Sequence, residues 1–135
     1  MTKIYLAGGM RSNWQDQVMA IKKYPDQIMT FYDPRNKNVE NERKLSLEEY
    51  GTWDLHYIKQ CDIVFGYMER DNPSGVGMAC ELGYAFCIGK TVITVIESGN
   101  LHQEDRYIQF MKKVSHITFD TLEEGIEYLK TFSRS

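Results

Sequence analysis

The sequence has no stretch rich in lysine or arginine, and its 16 basic residues are outnumbered by 19 acidic ones, for a net charge of −3. A nucleic-acid-binding stripe is therefore excluded as an expectation, although one or two cations suffice for a small anionic ligand. Cysteine is scarce: Cys61, Cys80 and Cys87 are the only three, an odd number without zinc-ligand spacing. All three stand among apolar residues, which predicts buried thiols in a reducing cytosol. No apolar run approaches the roughly 20 residues that cross a bilayer. The opening MTKIYLAGG is too short in apolar residues to serve as a signal peptide. P-loop, full dinucleotide fingerprint, Ser-His-Asp order and metal-ligand cluster are all missing, so no metal or other cofactor is expected. What is present is ordinary for a globular protein: 135 residues, 42% hydrophobic and 26% charged. That predicts one cytoplasmic domain over residues 1–135 with a real core and no membrane partner.

Short β-branched runs alternate with helical patterns, the mark of a parallel α/β sheet. Strands are expected at Lys3–Ala7, Ile28–Tyr32, Asp62–Met68, Thr91–Glu97 and His116–Phe119. Between them fall a helix carrying Trp14, Val18 and Ile21 that stops at Pro25, a second from Ser46 to about Gln60, and a third from Val76 or Gly77 to Ile88. Residues 105–114 and a Thr121-capped segment ending near Phe132 complete the set. Ser46 with Glu49 forms a capping box, and Gly89 is the expected left-handed terminator of the third helix. Right-handed crossovers then give a single-domain, doubly wound sheet of flavodoxin or Rossmann type, in strand order 2-1-3-4-5, with helices on both faces. Its ligand crevice belongs beyond the carboxyl ends of the strands, among the loops Gly8–Asn13, Asp33–Leu45, Glu69–Gly77 and Ser98–Asp105. The polar residues 35–45 read as a mobile loop or lid.

Two carboxylates stand out. The second helix has an apolar stripe of Leu47, Tyr50, Tyr57, Ile58 and Cys61, and Asp54 lies within it. A carboxylate there costs several kcal/mol unless paired or hydrogen-bonded. It is either a structural Asp satisfied by backbone amides or a tyrosine, or part of a functional site. In SGVGMACELGYAFCIGK, Ala79, Leu82, Ala85 and Phe86 form the sheet-facing side, while Glu81 lies about 100° round from Leu82, near the helix start. Glu81 is either a solvated helix glutamate or a side chain leaning over the strand ends. Gly75 and Gly77 serve tight packing or close approach of a ligand to free helix amides. Gly8, Gly9, Met10 and Arg11 follow the first strand directly, so Arg11 is a surface arginine or a partner for an anion. Tyr5 reads as core, and His56 and His102 as surface residues.

The segments KIYLAG, WDLHYIKQCDIVFG and GVGMACELGYAFCIGKTVITV, spread over most of the chain, resemble the nucleoside 2-deoxyribosyltransferase superfamily, which includes the 2′-deoxynucleoside 5′-monophosphate N-hydrolases. The resemblance implies that Glu81 of E-L-G-Y-A is the nucleophile and that Asp54 is held near the leaving base or sugar. It implies substrate contacts at Tyr5, Gly8 and Gly9, while Met10, Gly75 and Gly77 are candidate substrate contacts from the local reading of their own segments. Typical transferases carry an aspartate six residues before the nucleophile, where this chain has Gly75; Glu69 and Asp71 are the nearest acids. Conversely, G-G-M-R-S-N and N-P-S-G resemble the elements by which nucleotide N-hydrolases hold a 5′-phosphate, which implies phosphate contacts at Arg11 and Ser74. The implied partners are a nucleoside or nucleotide and a free base, within a homodimer or larger homo-oligomer. Deoxyribosyl transfer between bases is the leading expectation, nucleotide N-glycoside hydrolysis the alternative, and a nucleotide-binding sensor without turnover the third.

Overall fold

The computed structural model describes residues 1–23, 28–35, 45–71, 75–99 and 106–133. Among them the strands are β1 (Thr2–Gly8), β2 (Met29–Tyr32), β3 (Ile63–Met68), β4 (Thr91–Ile96) and β5 (Ile117–Phe119). The helices are α1 (Trp14–Met19), continued by a 3₁₀ turn at Ala20–Lys23, then α2 (Leu47–Gln60), α3 (Val76–Cys87), α4 (Arg106–Lys113) and α5 (Leu122–Lys130). All strand pairs are parallel and the order is β2-β1-β3-β4-β5, as the alternation predicts. The expected Pro25 stop and the lid reading of residues 35–45 fall largely outside the described residues, as do His102 and Ser74.

Alternation along β1 divides the interior in two. Ile4 and Leu6 join the side covered by α1 and α5, with Trp14, Val18, Leu122 and Leu129. Tyr5 and Ala7 point the other way, into the layer of α2, α3 and α4, with Ile58, Met78, Leu82, Ile108 and Met111. Strands buried on both faces explain the near-continuous apolar run Ile63–Met68, every residue of which is buried. Gly125 lets α5 come close to the sheet, since a Cβ there would sit 2.5 Å from Val95 Cγ2.

Local signals act as their chemistry dictates. The Ser46–Glu49 capping box opens α2, with the Ser46 N–H donating to Glu49 Oε1 at 2.8 Å. At the end of α3, Gly89 takes φ +85°, and the N–H groups of Gly89 and Lys90 donate to the carbonyls of Phe86 and Ala85. That paired return is a Schellman motif.

Three expectations about side chains require correction. Cys61 is buried, and burial pushes its thiol up to about 12, but Cys80 and Cys87 are exposed on the outer side of α3. Leu47 does not extend the buried stripe of α2: it is 86% exposed, in the first turn, ahead of the point where the helix meets its neighbours. Phe86 is 39% exposed and lies against the ring of His116 rather than on the sheet. In a helix flanked by α2 and α4, the direction of the sheet is set by the neighbours as well as by the apolar period. No helix among the described residues is long and apolar enough to cross a membrane.

Candidate active site

The sheet reverses its winding between β1 and β3, because β2 lies on one side of β1 and the later strands on the other. The connections leaving two such strands diverge to opposite faces and open a crevice at their carboxyl ends. A cleft of about 510 Å³ lies there, lined by Gly8, Gly9, Met10, Arg11, Asp54, Asp71, Gly75, Gly77, Met78 and Glu81. Its size suits a small-molecule ligand. Each wall has a clear origin. The Gly8–Arg11 segment leaves β1, Asp71 follows β3, Asp54 comes from α2, and Gly75 with α3 closes the remaining side.

Tyr5 ties the floor to this wall. Its ring is 1% exposed, and its hydroxyl donates a hydrogen bond to Glu81 Oε2. Burial pushes the phenol well above its ordinary value of 10.0; the negative charge of Glu81, the hydrogen bond to it, and the charge of Asp54 act in the same direction. The hydroxyl is thus a permanent donor, fixing Glu81 from below while the carboxylate faces the cleft. Asp54 and Glu81, both half-buried, share that space.

The linkage follows directly. A phenol raised in the folded state contributes stability that is fully present below pH 10 and is lost as pH rises above it, where only the unfolded chain releases the proton. Tyr5→Phe is therefore expected to make the alkaline loss of stability shallower. Urea midpoints at pH 8 and pH 11 check this: the wild type should lose more between the two than the variant.

Eight of the residues singled out in the sequence thus meet on one cleft: Gly8, Gly9, Met10, Arg11, Asp54, Gly75, Gly77 and Glu81. Tyr5 reaches it through Glu81, and Ser74 lies outside the described residues. Of the two nearby acids, Asp71 lines the cleft, whereas Glu69 accepts a hydrogen bond from Ser12 Oγ. Met78 is an addition that sequence reasoning missed; its place one turn before Leu82, on the buried side of α3, is the signal that marks it. His56 is exposed, with its Nε2 2.9 Å from Gln60 Nε2, away from the cleft.

The arrangement defines an α/β domain with three carboxylates, Asp54, Asp71 and Glu81, and one arginine around a glycine-walled crevice. The sequence model described as nucleoside 2-deoxyribosyltransferase like matches residues 1–99, and the chain belongs to that family, whose chemistry is at the N-glycosidic bond. No curated protein matches the chain significantly. Among solved structures, a conserved protein from Enterococcus faecalis V583 superposes with a TM-score of 0.68 at 17% identity, over 97% of this chain and 98% of that one. The CMP N-glycosidase of Clostridium botulinum superposes with a TM-score of 0.63, also at 17% identity, over 97% of this chain and 100% of its own. At such identity these likenesses are likenesses of fold.

Proposed function

We propose that this chain cleaves the N-glycosidic bond of a (deoxy)nucleoside 5′-monophosphate, with Glu81 as the nucleophile. The observation that carries the reading is the meeting of Glu81, held by Tyr5, with Asp54 and Arg11 on one cleft. A Glu81 carboxylate oxygen attacks the anomeric carbon, the C–N bond breaks, and its electron pair leaves with the base. Asp54 is assigned to deliver the proton that the departing nitrogen needs, and then to take one from the water that opens the glycosyl ester. The products are free base and sugar phosphate, with retained configuration after two displacements. Arg11, the pair Gly8-Gly9 with no side chains to obstruct a ligand, and the amides at the start of α3 supply the cationic, close-approach side of the cleft for the phosphate. Asp71 is assigned to the role of the aspartate that Gly75 replaces.

Transfer between bases, the first expectation from sequence, shares the opening half-reaction, and the family description favours it. Arg11 on the cleft is what turns the preference towards a phosphate-bearing substrate. Incubation with each common deoxynucleoside 5′-monophosphate, and separately with a deoxynucleoside plus a second free base, tests the reading by chromatography. Free base with sugar phosphate is expected. A base-exchanged nucleoside would instead establish transfer, and absence of any turnover would leave binding alone.

A further inference from the structure

Beside the cleft, two buried side chains converge on a single backbone atom. The carbonyl oxygen of Gly9 accepts from Trp14 Nε1 at 2.9 Å and from Gln15 Nε2 at 3.1 Å. Both side chains are out of solvent, Trp14 at 2% exposure and Gln15 at 0%. Trp14 is itself fixed by packing on Phe65 and Tyr67. Gln15 Oε1 finds no hydrogen-bond partner among the described residues. A buried amide with one unsatisfied end carries a desolvation penalty that an apolar side chain of the same size avoids. Stability is therefore a weak reason for a glutamine here, and its Nε2 has two polar contacts, the Gly9 carbonyl and the adjoining Met10 sulfur.

The consequence lies on the other side of the peptide. Among the described residues no peptide bond is cis. In a trans peptide, C=O and N–H point in opposite directions. Holding the Gly9 carbonyl inward, against Trp14 and Gln15, turns the N–H of Met10 outward, and Gly9 and Met10 both line the cleft. We infer that Trp14 and Gln15 are positioning residues that aim the Met10 N–H into the cleft as a fixed donor to the phosphate of the substrate. The inference rests on the nucleotide reading of the cleft. The donor stands one residue from Arg11, so one turn of chain offers both a directional hydrogen bond and a charge. Neither Trp14 nor Gln15 touches the ligand; they act through the peptide they hold.

Amide proton–nitrogen spectra of the Glu81→Gln protein, expected to bind without turnover, supply the first test, with a deoxynucleoside 5′-monophosphate, the matching nucleoside and inorganic phosphate as probes. The Met10 amide proton is expected to move downfield with the two phosphate-bearing probes and to stay put with the nucleoside. Steady-state kinetics of Gln15→Leu on the otherwise native enzyme supply the second. KM for the nucleotide should rise about tenfold, the effect of one weakened hydrogen bond to a charged group. In that variant kcat and KM for the unphosphorylated nucleoside should stay within about twofold, and the melting temperature should be unchanged or higher, as expected when a half-satisfied buried amide is removed. Trp14→Phe, which keeps one aromatic ring and loses the five-membered ring with its N–H, should lower the melting temperature and raise the nucleotide KM in the same selective way. A Met10 resonance unmoved by a bound nucleotide, or equal KM changes for both substrates, would overturn the assignment. Cleavage without a Met10 shift sinks this inference and spares the nucleophile; a Met10 shift in a wild type that cleaves nothing does the reverse.

Discussion

Replacing Glu81 by Gln is expected to lower the turnover of a deoxynucleoside 5′-monophosphate by roughly a thousandfold or more, because an amide has no anionic oxygen to form the glycosyl ester. The shape of the site should survive the change. Gln retains a carbonyl oxygen to accept the Tyr5 hydroxyl, and the neutral side chain removes a charge that lies close to Asp54 across the cleft. Nucleotide affinity should accordingly stay within about threefold, since Arg11, the Met10 amide and the start of α3 are untouched. The two readouts together separate catalysis from binding: kcat collapses and Kd does not. Intact-mass spectrometry with a slow 2-fluoro sugar analogue supplies the covalent counterpart. The wild type should gain the mass of one glycosyl group, and Glu81→Gln should gain none. Full activity in that variant would remove Glu81 from the nucleophile's role. An unmodified wild type that cleaves nothing would leave a nucleotide-binding sensor as the surviving reading.

The physical basis of the site was legible in the sequence to unequal depth. Tyr5 is instructive. Its place on β1 reads as core, and it is core, yet the period of two sends it to the same side as Tyr32 and Tyr57 while Ile4 and Leu6 go to the other. That side is also the side of α2 and α3, so the polar end of a buried ring meets Glu81. The parity of a strand can be read from sequence; which helix crosses above it depends on the order of the sheet. Asp54 was visible because a carboxylate interrupting an apolar stripe is anomalous by itself. Glu81 was not, since a glutamate one position from a buried leucine is common on any helix, and only the E-L-G-Y-A resemblance marked it.

Other features were out of reach for a different reason. Leu47 and Phe86 follow the helical period and still face solvent. A first-turn residue can lie beyond the packed contact, and a helix wedged between two others has more than one neighbour to satisfy. Gln15 looks like a surface glutamine from composition, but it is fully buried because its Nε2 finds the carbonyl of a glycine six positions earlier. Asp71 carries no periodic signal, yet its loop, Glu69–Gly77, is among those expected at the crevice, and what the sequence leaves open is that Asp71 rather than Glu69 lines the cleft.

Replacing Gly8 by Ala is expected to destabilise the fold by about 2–3 kcal/mol, the scale of overpacking in a rigid interior. A Cβ at this position would lie 2.5 Å from the carbonyl oxygen of Tyr67 and 2.9 Å from Trp14 Cζ2. Neither neighbour can easily retreat. The carbonyl belongs to β3, paired in register with β1 at this very residue, and the indole is pinned by its bond to the Gly9 carbonyl. Relief would have to come from the end of β1 itself, which would carry Gly9, Met10 and Arg11 away from their positions on the cleft wall. For a domain of this size the loss corresponds to a fall in melting temperature of roughly 6–12 °C. Gly51→Ala in α2 is the matched comparison, because nothing lies within 4 Å of a Cβ built there. That exchange should stabilise by about 0.5–1 kcal/mol through helix propensity alone. The same methyl group is thus expected to act with opposite sign at two glycines, and a Gly8→Ala protein with an unchanged melting temperature would show that the β1–β3 junction yields. If the junction is as rigid as its contacts require, the variant should also show a raised KM for nucleotides. The close approach of β1 to β3 would then serve both the packing of the sheet and the placement of the phosphate-facing loop.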